Sequence, residues 1–241
     1  MIYYHSSEEM PELGDESVHC VITSPPYPMI AKWDECFHRQ GADSFQNMHS
    51  ILGTVWNECY RVLVPGGIMC VNIGDATRTK DKEFVCWPNY AYMMVDCMHI
   101  GFTPLIPILW KKISNRPNAF LGSGFQPVNA YISQDCEYIA IMRKGRLRQF
   151  SDEEKVLRKD SSFTKEERDL WFQQVWEITG KMGAKKDSGW PVEIPYRLMR
   201  MFSIKTDIIL DPFCGNGNEF LYTQWDRSFV GYEVTDAKIN P

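Results

Sequence analysis

Two apolar rhythms alternate along this chain. Short, nearly continuous runs at 18–22, 68–73, 137–142, 208–210 and 229–233 are too brief for helices and read as strands buried on both faces. Residues 2–4 and 104–110 add two more, the latter expected to pair antiparallel with 137–142. Between the strands, Phe45, Met48, Ile51, Leu52, Val55, Trp56, Tyr60 and Leu63 recur at helical spacing over 44–63, and 88–99 predicts a second helix. A short acidic helix is expected over 8–13. Ser151 with Glu154 and Thr164 with Glu167 are two capping boxes, each opening a short charged helix inside 151–175. Pro195 heads a helix carrying Leu198, Met199 and Phe202. Residues 111–130, rich in Gly, Pro and Asn, read as loop. The alternation of strand and helix predicts an α/β sheet whose ligands gather at the carboxyl ends of the strands.

Two of those strand ends carry chemistry. The run 18–22 leads into Thr23-Ser24-Pro25-Pro26-Tyr27. A hydroxyl, a stiff turn whose prolines offer carbonyls without amide hydrogens, and a flat ring suit a planar group bearing an amino nitrogen, such as a nucleobase. A proline-rich turn that merely closes a strand is the plain alternative. The run 208–210 leads into Asp211-Pro212-Phe213-Cys214-Gly215-Asn216-Gly217-Asn218, and the next strand ends in Glu233. Glycines let the backbone approach a ligand closely, and an acid one strand further on can accept from ribose hydroxyls. Asp75, after the strand 68–73, either faces the same cleft or caps a turn. Trp33 and Phe37, in the loop after Tyr27, either contact a base or anchor that loop.

Composition narrows the setting. A length of 241 residues, 44% hydrophobic and 24% charged, suits one globular domain with a substantial core. No apolar run reaches membrane-spanning length and no leader-like segment opens the chain, so a cytoplasmic location is expected. Eight scattered cysteines, without Cys-x-x-Cys or zinc-like spacing, read as reduced thiols, and no metal is expected. The net charge of -5 does not advertise nucleic acid, so any such surface must be a local basic patch. Lys111, Lys112 and Arg116, with Arg143, Lys144, Arg146 and Arg148, are the candidates for it. A solvated basic face is the alternative.

Together, Thr23–Tyr27 and Asp211–Gly217 resemble the beta group of amino DNA methyltransferases, in which a Ser/Asp-Pro-Pro-Tyr motif precedes an Asp-Pro-Phe-x-Gly-x-Gly motif. The similarity covers most of the chain, with Pro65-Gly66-Gly67 and Gly231-Tyr232-Glu233 as further landmarks. It implies a Rossmann-like, seven-stranded, mostly parallel sheet with one antiparallel strand, in circularly permuted motif order, forming a single domain over 1–241. It implies S-adenosylmethionine as cofactor, bound by Thr23, Asp211, Phe213, Cys214, Gly215, Asn216, Gly217 and Asn218, of which Asp211, Phe213, Gly215 and Gly217 would line its methionine and sulfonium part. Glu233 would hold the ribose, and Trp190 and Pro191 would close over the methionine end. Ser24, Pro25, Pro26 and Tyr27 become the catalytic residues. Ser rather than Asp resembles the cytosine-N4 subgroup. Ring-carbon methylation would need a cysteine nucleophile, typically in Pro-Cys, which the chain lacks.

Asn218-Glu219, Trp190 and Ser6 depart from the family's usual residues. Adenine-N6 methylation, a catalytically weak nucleic-acid-binding subunit, and RNA or small-molecule methylation stay open beside the cytosine reading. The partners implied are DNA, a homodimer mate and a cognate restriction endonuclease, with no membrane. The insertion at about 143–176 is the expected target-recognition element.

Overall fold

The computed structural model describes residues 1–80, 83–113, 126–129, 131–179, 190–215 and 225–234. Its strands are β1 (Ile2–Tyr3), β2 (Val18–Thr23), β3 (Leu63–Ile73), β4 (Ala76–Lys80), β5 (Glu83–Trp87), β6 (Phe102–Pro104), β7 (Ile108–Ile113), β8 (Cys136–Lys144), β9 (Val175–Thr179), β10 (Ile208–Asp211) and β11 (Ser228–Tyr232). Its α-helices are α1 (Asp34–His38), α2 (Phe45–Val62), α3 (Asn89–Ile100), α4 (Asp152–Asp160), α5 (Lys165–Trp171) and α6 (Glu193–Phe202).

Side chains alternate across a strand, and that alternation builds two cores. Val21, Met69, Val71, Ala140 and Met142 face α2 and α3, where Leu52, Trp56, Met93 and Cys97 are fully buried. Cys20, Ile22, Cys70, Ile139, Ile141 and Ile209 face the other way, against Ile194, Leu198 and Met199 of α6. Each large apolar side chain so buried contributes about 1.5–3 kcal/mol. The result is a sheet sandwiched between helices.

The sheet has nine strands rather than the expected seven, in the order β1-β11-β10-β2-β3-β8-β7-β9, with β6 also pairing β8. Only β8 opposes its neighbours, pairing antiparallel with β3, β6 and β7, while the remaining pairings are parallel. Part of the surplus comes from the expected strand 104–110, which is broken into β6 and β7 around Pro107. The rest is β9, which the sequence reading passed over although Trp176 and Ile178 alternate with exposed neighbours. From β10 the chain proceeds outward through β11, and from β2 it proceeds the other way to β3. The gap between β10 and β2 is therefore the topological switch point where open α/β sheets bind ligands.

Both capping boxes form, with the Ser151 and Thr164 side chains accepting from the third helical amide and the glutamates reaching back. Residues 8–13 are turns, not a helix. Glu58 accepts from the Met10 amide, and Arg61 caps the carbonyls of Met10 and Leu13, so side chains of α2 satisfy the backbone groups that a helix would use. Residues 76–87 form the β4–β5 hairpin. No helix among the described residues is long and apolar enough to cross a membrane.

Between Val18↔Leu63 and Cys20↔Ile68 the register of β2 against β3 shifts, and Gly66 lies in the bulge at φ +85°. A Cβ there would stand 2.1 Å from the Arg148 backbone nitrogen. Gly66→Ala is expected to cost more than about 2 kcal/mol, since both the left-handed conformation and the clash act against it. Gly145→Ala, at φ +61° with nothing described within 4 Å, is expected to cost about 1 kcal/mol. Urea unfolding midpoints of the two variants measure the difference.

Candidate active site at the strand ends

The two motifs recognised in the sequence meet at the switch point. Thr23, fully buried at the end of β2, donates from Oγ1 to Asp211 Oδ1 at 2.6 Å across the gap to β10. The Phe213 amide donates to the same oxygen at 3.1 Å, fixing the turn that follows. Burial pushes the Asp211 carboxyl from 3.8 up to about 7; the two hydrogen bonds oppose the rise and the Glu233 charge adds to it. Gly215 sits at φ +57°, and its amide donates to Glu233 Oε2 at 2.9 Å. The Cys214 amide donates to the Tyr232 carbonyl, lacing the turn to β11. The Phe213 ring stands edge-on to Trp56 of α2. Asn216, Gly217 and Asn218 lie outside the described residues.

Ser24, Pro25, Pro26 and Tyr27 follow Thr23 directly, and their geometry is set by a polar chain. Tyr27 donates its one phenolic proton to Glu137 Oε2 at 3.0 Å. Asn72 Nδ2 donates to the Tyr27 oxygen at 2.6 Å and to Glu137 Oε2 at 2.7 Å. With its proton committed, Tyr27 can only accept from Ser24, whose Oγ lies 3.2 Å away. The serine proton therefore points at Tyr27, and the serine lone pairs are left for a ligand. Burial first, and the Glu137 charge second, raise the Tyr27 phenol well above its ordinary value, so it stays protonated. Lys112 Nζ donates to the other Glu137 oxygen.

A second latch holds the loop from behind. Asn89, fully buried at the start of α3, donates from Nδ2 to the carbonyls of Pro28 and Gly74, both at 3.0 Å. Its Oδ1 is paired with His49 Nε2 at 3.1 Å. Burial lowers His49 to about 4, so the ring is neutral near pH 7 and donates that bond. The sequence reading missed Asn72, Asn89 and Glu137. Asn72 interrupts the apolar run 68–73 and Glu137 opens the run 137–142, the one signal that could have flagged them.

Asp75 accepts from the Tyr90 amide at 3.0 Å and so caps the start of α3. Part of the loop expected after Tyr27 is the helix α1, which Phe37 anchors by burial, and Trp33 packs partly buried against the same core. Trp190 is buried in the α6-side cluster that also holds Cys214, with Pro191 half-buried beside it.

The expected basic patch is divided between opposite edges of the sheet. Lys111 pairs in register with Cys136, on the same edge as Ser24, and Lys111 bridges Glu177 at 2.9 Å. Arg143 instead pairs with Ile68, at the far end of β3, six residues or about 20 Å of strand away from Glu137. There Lys144 meets Glu16 at 3.3 Å, and Arg148 grips Asp207 at 2.8 Å and Glu154 at 2.8 Å, so these two cations serve the scaffold. Arg146 is exposed on that far edge and Arg116 lies outside the described residues. The helical pair α4–α5 is fastened to the far edge too, through Glu154 and through Ser161 Oγ, which accepts from the Lys205 amide. The helical insertion expected at about 143–176 thus stands at the strand ends opposite Ser24. The Ser24 edge is rimmed instead by the β4–β5 hairpin, whose Arg78 bonds the Met29 carbonyl and Asp34, and by Tyr131, stacked on Phe84 at 4.3 Å.

Known proteins resemble this chain in sequence and in fold. A family model described as DNA methylase, of the N6/N4 type, matches residues 18–240. The type II methyltransferase M.MjaI of Methanocaldococcus jannaschii is 45% identical over all of this chain and 88% of its own length. M.MthZI of Methanothermobacter thermautotrophicus is 40% identical over 97% of this chain and 72% of its own. Among solved structures, TTHA0409 of Thermus thermophilus, in complex with S-adenosyl-L-methionine, superposes with a TM-score of 0.76 at 30% identity, covering 97% of this chain and 89% of that one. The cytosine-N4-specific PvuII DNA methyltransferase has the same fold, with a TM-score of 0.67 at 16% identity over 97% and 81%.

The raised Asp211 carboxyl has a thermodynamic signature. Between about pH 4 and about pH 7 the folded protein holds a proton that the unfolded chain has released, so stability falls as pH rises through that window and levels off above it. Asp211→Asn keeps the oxygen that accepts from Thr23 and Phe213 while abolishing the titration. Relative to the native chain, the variant should gain stability across that window, by up to about 1.4 kcal/mol per pH unit. Urea unfolding of both proteins from about pH 4.5 to about pH 8 measures it.

Proposed function

Because the chain belongs to the DNA methylase family of N6 and N4 amino methyltransferases, we propose that it methylates the exocyclic N4 amino group of a cytosine flipped out of duplex DNA, with S-adenosylmethionine as donor. The observation that carries this reading is the commitment of the Ser24 proton to Tyr27, which leaves the serine lone pairs beside the Asp211 turn.

The cleft's own donor set fits that cofactor. A buried carboxyl at Asp211 gains from meeting a cation, Glu233 offers acceptors at the end of β11, and the left-handed Gly215 keeps the turn free of a side chain. When bound, S-adenosylmethionine supplies an electrophilic methyl group on a positively charged sulfur. Thr23 and Phe213 hold the Asp211 carboxylate on that side of the cleft.

A cytosine amino group is conjugated with its ring and is a poor nucleophile. Ser24 Oγ and the carbonyl of Pro25 accept its two hydrogens, favouring a pyramidal nitrogen with its lone pair aimed at the methyl. Positive charge developing on the nitrogen is met by the same acceptors, so they bind the transition state more tightly than the ground state. Tyr27, clamped through its hydroxyl, offers its face to the base. Reaching the amino group requires flipping, since it is inaccessible inside a duplex. DNA would lie across the Ser24 edge, met by Lys111, Lys112, the β4–β5 hairpin and the exposed Tyr131 and Ile132. Ser24 in place of an aspartate supports cytosine over adenine. The type II designation of the relatives supports pairing with a restriction endonuclease.

Transfer of labelled methyl to unmethylated DNA, followed by digestion to nucleosides and mass spectrometry, tests this. N4-methylcytosine is expected. N6-methyladenine would overturn the base assignment, and no methylated nucleoside would overturn the reaction. Ser24→Ala is expected to lower turnover by about 10²–10³-fold with cofactor binding unchanged by calorimetry.

A further inference from the structure

We propose that Glu137 is a positioning residue that receives, through Tyr27 and Ser24, the proton released when the amino group is methylated. The inference rests on the amino-methylation reading above. It starts from the direction of the hydrogen bonds: Ser24 donates to Tyr27, and Tyr27 donates to Glu137, so the chain of hydroxyls runs one way, from the cleft to a carboxylate.

As the bond from nitrogen to the methyl carbon forms, the bond from sulfur to carbon breaks and its electron pair stays on sulfur. The nitrogen then carries one hydrogen too many and a positive charge. Its N–H bond breaks toward Ser24 Oγ, with the electron pair returning to nitrogen. The serine hydroxyl proton passes to the Tyr27 oxygen, and the phenolic proton passes to Glu137 Oε2. One carboxylate becomes a carboxylic acid, neither hydroxyl changes its net charge, and the methylated nitrogen ends neutral. A concerted passage suits Tyr27, whose burial disfavours a free phenolate.

Every group around Glu137 serves this arrangement. Asn72 on β3 donates to both the Tyr27 oxygen and Glu137 Oε2, holding donor and acceptor in line. Lys112 on β7 occupies Oε1, so Oε2 is the oxygen turned to Tyr27. Gly74 makes room, since a Cβ there would lie 3.1 Å from Glu137 Cγ and 3.2 Å from Tyr27 Cε2. The Glu137 side chain is 13% exposed, so the proton has an outlet to water on the Lys112 side.

The test uses the full chain with S-adenosylmethionine and duplex DNA containing the target site in unmethylated form. Glu137→Gln and Tyr27→Phe are each expected to lower the single-turnover rate at least about tenfold, with KM for DNA and the calorimetric cofactor affinity within about twofold of native. The double variant should be no slower than the slower single one, because both cut the same chain. Formate should restore part of the rate to Glu137→Ala and none to Glu137→Ala combined with Tyr27→Phe. Thermal melting of each variant verifies folding, and Glu137→Asp substitutes if Glu137→Gln does not fold, with a partial loss expected. A native rate in Glu137→Gln, or losses that multiply in the double variant, would overturn the proposal. A native rate in Ser24→Ala would instead overturn the amino-methylation reading, so the two failures are distinguishable.

Discussion

The site depends on one buried hydrogen bond. Thr23 and Asp211 lie 188 residues apart in sequence, yet their side chains meet at 2.6 Å between the two strands that diverge at the switch point. A carboxylate fully enclosed there would be intolerable without partners, and Asp211 answers with two donors on one oxygen and a raised affinity for a proton. That bond sets the distance between the serine loop after β2 and the glycine turn after β10. On the amino-methylation reading proposed above, methyl donor and amino acceptor would be brought in line across that distance, where small errors are costly in rate.

The rest of the molecule divides by sheet edge. At the Ser24 edge, polar side chains are spent on orienting loops: Asn72 on Tyr27, Asn89 on Pro28 and Gly74, Asp75 on the first turn of α3. At the opposite edge they are spent on closure. Asp207 is nearly inaccessible, accepts two bonds from Arg148 and one from the Ile204 amide, and has His19 at 3.8 Å. Removing one partner of such a buried set leaves an uncompensated charge, so the network fixes where α4 and β10 begin. Lys144 and Arg148 belong to this second task, paired with Glu16 and with Asp207 and Glu154.

Much of this was legible in the residues. The helical period of α2 and the buried runs of β2, β3, β8 and β10 announced themselves, as did both capping boxes, because these signals are local. The strand-end motifs were legible for the same reason: hydroxyl, prolines and glycines act where they stand in sequence. What was not legible depended on distant partners. Residues 8–13 lost a helix to Arg61 and Glu58, which satisfy their backbone from 48 to 51 residues away. The cations at 143–148 looked like a nucleic-acid patch because nothing local shows that Asp207 and Glu16 await them. Asn89, the latch behind the Ser24–Tyr27 loop, is an ordinary polar residue at a helix start until Pro28 and Gly74 arrive on either side of it.

Glu137 shows how topology supplies what local sequence cannot. In a parallel sheet only the carboxyl ends of strands reach the ligand edge, so every contributed residue must follow a strand. The single antiparallel strand breaks that rule: because β8 runs against β3, its beginning lies where the other strands end, with Tyr138 opposite Ile73. Glu137, at the start of β8, is paired in register with Trp110 of β7, one residue before β8 meets β3 at Tyr138, and still lies at the Ser24 end of the sheet. A loop residue would have to be ordered before it could hold Tyr27, whereas Glu137 is held by strand pairing before any ligand arrives. The antiparallel strand thus gives the site a rigid carboxylate behind its serine, which the parallel strands alone could provide only from a loop.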